Sequence, residues 1–237
     1  MPFDQLKRHD FIALLAGAAI LSCALCVTAT AKDAKVGGVL LKLPPPPGYC
    51  ELDPSEPSDL RLFSILEGAF KNSGNRLLAI SADCTELNDW RARKRKFLDN
   101  FAQYQTVIAL ENLEYQANGA ELINTVCKEL RAQGEKIVTG MEKDVQARYE
   151  EVLKDVKVNE TRFIGVLGEE PTICYAAVVE RVVADGMEKT IVTVWATTIV
   201  GGKMVYVYQF APHVSGNSIT DVFALVKAQT VRFKAAN

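Results

Sequence analysis

Residues 189–212 read KTIVTVWATTIVGGKMVYVYQFAP. Two runs rich in Val, Ile, Thr, Tyr and Phe flank Gly201-Gly202, and such runs suit a pleated, half-buried backbone. Glycine takes positive φ without steric cost, so the Gly-Gly pair is a two-residue hairpin turn. Strands Lys189–Val200 and Lys203–Phe210 are therefore antiparallel neighbours. Side chains alternate along a strand. Met204, Tyr206, Tyr208 and Phe210 thus share one face of the second strand, opposite Val205 and Val207. That aromatic ladder suits either a ligand or a covering helix.

Working outward, Thr161–Leu167 and Thr172–Val183 have the same composition. They are separated by Gly168-Glu169-Glu170-Pro171 and followed by Ala184-Asp185-Gly186, connections too short for anything but antiparallel pairing. The four segments form a meander. After the loop 211–217, Ser218-Ile219-Thr220-Asp221 resembles a capping box with Asp in the Glu position, opening a closing helix that bears Val222, Phe223 and Val226.

Upstream the period changes from two to about 3.6. Leu122, Ile123, Val126, Cys127 and Leu130 share one helical face, and the stripe resumes at Ile137, Met141, Val145, Tyr149, Val152 and Leu153. Gly134 and Gly140 predict a break, hence two helices within 120–153. Ser58 or Asp59 caps an earlier helix with Leu62, Ile65, Leu66, Ala69 and Phe70 on its stripe. Residues 36–43 and 76–82 read as strands, the first followed by the extended proline run 44–47. Thr85 caps a short helix with Leu87 and Trp90, running into Arg91-Ala92-Arg93-Lys94-Arg95-Lys96 and then Phe97, Phe101 and Tyr104. Helices over 58–153 and strands over 161–210 are segregated, which predicts an α+β fold: an antiparallel sheet with a C-terminal four-strand meander, helices packed on the sheet, and the early strands at its edges.

The N-terminal 31 residues read as a signal peptide. Lys7 and Arg8 precede the apolar run FIALLAGAAILSCALCV at 11–27, and Ala29-Thr30-Ala31 is a small-x-small cleavage site. Residues 32–237 are then a single α+β domain, periplasmic or secreted, with no transmembrane segment after cleavage. Of six cysteines, Cys23 and Cys26 leave with the leader. Cys50, Cys84, Cys127 and Cys174 remain in an oxidising space, none in a C-x-x-C arrangement, so they are read as structural disulfides. Cys84 ends a strand expected beside Cys50. Cys127 lies on a buried helical stripe expected to cover Cys174. Of the three connectivities, the expectation is Cys50–Cys84 with Cys127–Cys174.

The chain has 27 Lys+Arg and 29 Asp+Glu, a formal charge of -2, and 49% hydrophobic residues. Disorder and a general nucleic-acid footprint are excluded. Of two histidines, only His213 follows the leader, so a His-built zinc site is excluded, and no nucleotide-binding or G-x-S-x-G motif occurs. No cofactor and no metal is called for. Two clusters stand out as candidate sites. Arg91, Arg93, Lys94, Arg95 and Lys96 offer a patch for an anionic partner, or else a solvated helix face. His213, Ser215 and Ser218 precede a helix N-terminus.

LPPPPGYCELD (43–53) and GGKMVYVYQFAP (201–212) resemble segments of small exported alphaproteobacterial proteins without an assigned activity. The order of elements is similar to that of Mog1/PsbP-like proteins, which implies the same general plan of an antiparallel sheet flanked by helices and no particular site. The function expected is that of an exported, non-catalytic accessory or binding protein, its partner an envelope protein or an anionic surface. The alternative is a small periplasmic hydrolase or transferase that uses His213 with Ser215 or another hydroxyl.

Overall fold

The computed structural model describes residues 31–72, 74–115, 118–152, 156–184 and 186–237, without the side chains of 65, 69, 71, 72, 140–152, 156 and 184. The expected leader, Leu153 and the side chains of Ile65, Ala69, Met141, Val145, Tyr149 and Val152 lie outside that description.

The meander is present and longer than its apolar runs. Strands β6 (Val156–Glu170), β7 (Ile173–Ala184), β8 (Met187–Val200) and β9 (Lys203–Pro212) pair antiparallel in succession. Gly201 and Gly202 turn the last hairpin at φ of 56° and 73°, as a tight turn between right-twisted strands demands. Ahead of them come β1 (Lys32–Val36), β2 (Val39–Leu43), β3 (Tyr49–Glu51), β4 (Asn75–Asp83) and β5 (Phe101–Val107). The main sheet has seven strands in the order β3-β4-β5-β9-β8-β7-β6. Among the described residues the helices are α1 (Pro57–Asn72), α2 (Cys84–Arg91), α3 (Gly119–Val152) and α4 (Ser218–Ala235), with a short 3-10 turn at Ile108–Leu110.

Several expectations change here. Residues 36–43 are not one strand: Gly37 and Gly38 turn the chain, and β1 and β2 form a separate two-stranded sheet instead of joining an edge. β4 lies inside the main sheet and only the three-residue β3 occupies that edge. β5 replaces the helical continuation at Phe101 and Tyr104. Its residues are buried on both faces, so FAQYQTV lacks the apolar-polar alternation that marks a half-buried strand. The α3 helix is continuous through Gly134. A Cβ there would stand 2.2 Å from the Phe163 ring, so this glycine permits close helix–strand packing and does not end the helix. The cap of α2 is Asp83, whose side chain accepts from the Thr85 and Glu86 N–H groups, not Thr85.

One sheet face carries the larger core. Val192, Val194, Val205 and Val207 pack with Leu41 and Leu43 of the hairpin and with Val222, Val226 and Phe233 of α4. Pro44–Pro46 are buried, and Pro44 O accepts from the Tyr104 hydroxyl at 2.7 Å. On the other face, Leu62, Phe63, Leu66 and Phe70 of α1 pack with Leu77, Ile80 and Ala82 of β4. The α3 residues Ile123 and Cys127 lie with Cys174, Val166 and Ile199. The disulfides are Cys50–Cys84 and Cys127–Cys174, closing 34 and 47 residues. Among the described residues no helix is long and apolar enough to cross a membrane.

Candidate functional site

The basic run is divided by its partners. Arg91 forms an ion pair with Asp59, which is fully buried and also accepts from the Asp53 N–H at 2.9 Å. Asp59 is therefore an internal acceptor and not a cap for α1. Hydrogen bonding to Asp59 holds the Arg91 guanidinium above its usual pKa against the opposing effect of burial. Arg95 reaches Glu86 and Asp99. Burial pushes the Glu86 carboxyl up, but donors from Asn100, Asp99 and Arg95 outweigh it and leave its pKa lowered. Arg93, Lys94 and Lys96 are exposed, Arg93 with φ of 58°, and Lys94 lies 4.0 Å from Asp89. The five cations do not share a helix face, because α2 ends at Arg91. Two of them secure the 92–100 loop to the body of the protein.

His213 is exposed, and its ring has no hydrogen-bond or ion-pair partner among the described residues. Ser218 is buried; its hydroxyl accepts from the Val214 and Ser215 N–H groups and donates to Ser215 O at 2.9 Å. It serves the turn that opens α4. The structure does not join His213 to either serine.

The surface that combines aromatic and polar chemistry lies between α1 and α3, where β5, β9 and β8 show their second face. Strand alternation delivers the ladder of β9 here, while Val205 and Val207 face α4. The register sets Trp195 opposite Tyr208, Phe210 opposite Phe101, and Gln103 opposite Tyr208. The rings stack edge-up in a row: Trp195 to Tyr208 at 6.1 Å, Tyr208 to Phe210 at 6.0 Å, and Phe210 to Phe101 at 4.2 Å. All four are half-buried.

Polar groups stand among these rings. Gln103 and Gln105 are buried and bonded to each other at 2.8 Å. The Thr193 hydroxyl donates to Glu180 at 3.1 Å, and the buried Thr197 hydroxyl has no partner among the described residues. Burial raises the pKa of Glu180, partly opposed by the Thr193 bond, and burial likewise raises Tyr206 and Tyr208. At one end Lys189 pairs with Asp99 at 2.7 Å and lies over the Phe97 ring. A helix-covered core would be apolar here. This strip instead has half-buried rings with buried amides and a desolvated carboxyl set among them. Gln103, Gln105 and Glu180 were not singled out in the sequence. The available signal was a polar residue on an inward register position of an otherwise apolar strand.

No family model and no curated protein matches the chain. Among solved structures, the chain is similar to the cyanobacterial PsbP (CyanoP) of Synechocystis sp. PCC 6803, at 12% identity over 87% of this chain and 95% of that one, with a TM-score of 0.30. It is also similar to the Ran-binding protein Mog1p of Saccharomyces cerevisiae, at 11% identity over 88% of this chain and 90% of that one, with a TM-score of 0.25. These are coarse likenesses, and no residue's role is carried over from either.

Proposed function

We propose that the protein is exported and works as a non-catalytic accessory protein that binds a protein of the cell envelope. The observation that carries the binding reading is the half-buried row Trp195–Tyr208–Phe210–Phe101 with Gln103, Gln105, Thr193 and Glu180 set into it. Trp and Tyr are enriched where proteins meet, because they bring large area with a polar end. Export is supported by the leader sequence and by the two cystines, which use all four cysteines after residue 31. An anionic surface is the weaker choice, since Arg91 and Arg95 are committed to carboxylates. The hydrolase or transferase reading draws no support from the exposed His213.

Two measurements test this. N-terminal sequencing of the protein recovered from a periplasmic extract or the medium is expected to begin at Lys32; Met1 on the functional protein counts against export. In vivo cross-linking and capture is expected to recover a defined envelope protein with the wild type and to lose it with Trp195→Ala and Tyr208→Ala, each verified as folded by circular dichroism at the temperature used, since truncating a half-buried ring lowers the melting temperature. The same capture set from wild type and variants ends the binding reading for this face.

A further inference from the structure

The outer face of α4 is apolar at its centre and oppositely charged at its ends. Leu225 and Val231 are 39% and 58% exposed, with Ala224, Ala228 and Ala235 exposed beside them. Asp221 and Arg232 are exposed on the same side, and neither side chain forms a hydrogen bond or an ion pair among the described residues, although the Arg232 charge acts on the Tyr104 hydroxyl. Asp221, Leu225, Ala228 and Arg232 follow one another at steps of four, three and four, which aligns them along the helix. Lys227 and Lys234 turn away, toward Glu170 and Thr172. On β2, Leu40 is 62% exposed. That strand is held to the foot of α4 by two hydrogen bonds between the Lys42 backbone and the Asn237 side chain.

We propose that this face is a homodimer interface, in which α4 of a second copy packs antiparallel across a two-fold axis at Ala228. An isologous contact needs a surface complementary to itself turned end to end, and this helix has one. The axis places Leu225 opposite Val231 of the second copy. It brings Asp221 within one helical turn of the second copy's Arg232, about 4.5 Å along the axis at ~1.5 Å per residue, and the reciprocal pair forms at the other end. A uniformly basic or acidic partner matches only one end, whereas the reversed helix matches both. Ala228 on the axis lets the two backbones approach. A single helix pair makes a small contact beside the roughly 1,200–2,000 Å² of a specific, stable interface, so the dimer is weak and fills only at high concentration.

Sedimentation of the purified protein from micromolar to millimolar concentration is expected to show the mass rising from one chain to two. Leu225→Glu removes the dimer. Asp221→Arg and Arg232→Asp each weaken it by tenfold or more, as misplaced like charges at an interface do, and the double reversal D221R/R232D restores it. Ala228→Cys gives a dimer band on a non-reducing gel. Thermal unfolding of the charge variants is expected to show a modest loss, because Asp221 and Arg232 stand in the first and last turns of α4 where they complement the helix dipole, so the masses are read at a temperature where every variant is folded. A single-chain mass at every concentration overturns the proposal and leaves the face to a different partner. A dimer that Leu225→Glu and both charge reversals leave intact overturns it equally.

Discussion

Asp59 shows how one side chain can hold two distant segments together. It lies on the first turn of α1, yet its oxygens accept from Arg91 at the end of α2, from the Asp53 N–H and from the Ser58 hydroxyl. Removing one member of a buried pair strands the other and costs about 3–5 kcal/mol when both are buried. Arg91 is partly solvated, which lowers the cost. Asp59→Ala is expected to reduce stability by about 2–3 kcal/mol in urea titrations, and Asp59→Asn by less, since it keeps an acceptor for Asp53. In the sequence Asp59 has the signature of a cap, because a carboxylate near a helix start looks the same whether it serves the helix or a residue far along the chain.

Two glutamates impose opposite pH dependences. Glu86 has a lowered folded pKa, so its stabilisation is present above the unfolded value of about 4.3 and is lost as pH falls through the folded value. Glu180 has a raised folded pKa, so its favourable contribution is present below about 4.3 and is lost as pH rises through the folded value. Glu180→Gln keeps an acceptor for Thr193 and removes the ionisable group. It is expected to raise the urea midpoint at pH 7 and to leave it nearly unchanged at pH 4. An equal gain at both pH values would show that shape, not ionisation, governs the position.

At the scale of elements, the β1–β2 hairpin depends on a glycine for space. A Cβ on Gly37, at φ of +49°, would meet the Glu111 carbonyl oxygen at 1.6 Å, whereas Gly38, at φ of +91°, has open space around its Cβ position. Gly37→Ala is expected to cost about 3 kcal/mol or more, adding overpacking against backbone to left-handed strain, and Gly38→Ala only about 1–2 kcal/mol. Thermal melts of the two variants give the comparison. Elements were legible where one period dominated: the Val-rich meander with its Gly-Gly turn, and the Leu122–Leu130 stripe. They were illegible where burial on both faces erased the period, as in β5. They were also misleading where a glycine served packing, as at Gly134 against Phe163. The aromatic ladder was visible in β9, but the amides and the glutamate beside it come from β5 and β7, and only the register brings them together.

For the whole molecule, the cystines tie opposite flanks of the sheet. Cys50–Cys84 fixes the short edge strand β3 to the β4–α2 junction, and Cys127–Cys174 clamps α3 to β7. Closing loops of 34 and 47 residues corresponds to roughly 3–4 kcal/mol each by chain entropy, against a typical net stability of about 5–15 kcal/mol. Reduction is therefore expected to lower the melting temperature strongly. Peptide mapping after thiol blocking without reductant is expected to return the two linked peptides and no labelled cysteine after residue 31.

The sheet is two pieces sewn along a single seam. β3, β4 and β5 come from the first half of the chain, β6 to β9 from the second, and among the described residues only the β5–β9 ladder joins them, with Phe101 beside Phe210. A ribosome delivers Phe101 long before Phe210, so throughout synthesis the growing chain carries β5 with one edge unpaired. Pairing within the meander is local and needs nothing from upstream, whereas the first half waits for β9. The nascent chain thus carries an unpaired strand edge until β9 emerges, a state exposed to aggregation if synthesis stalls.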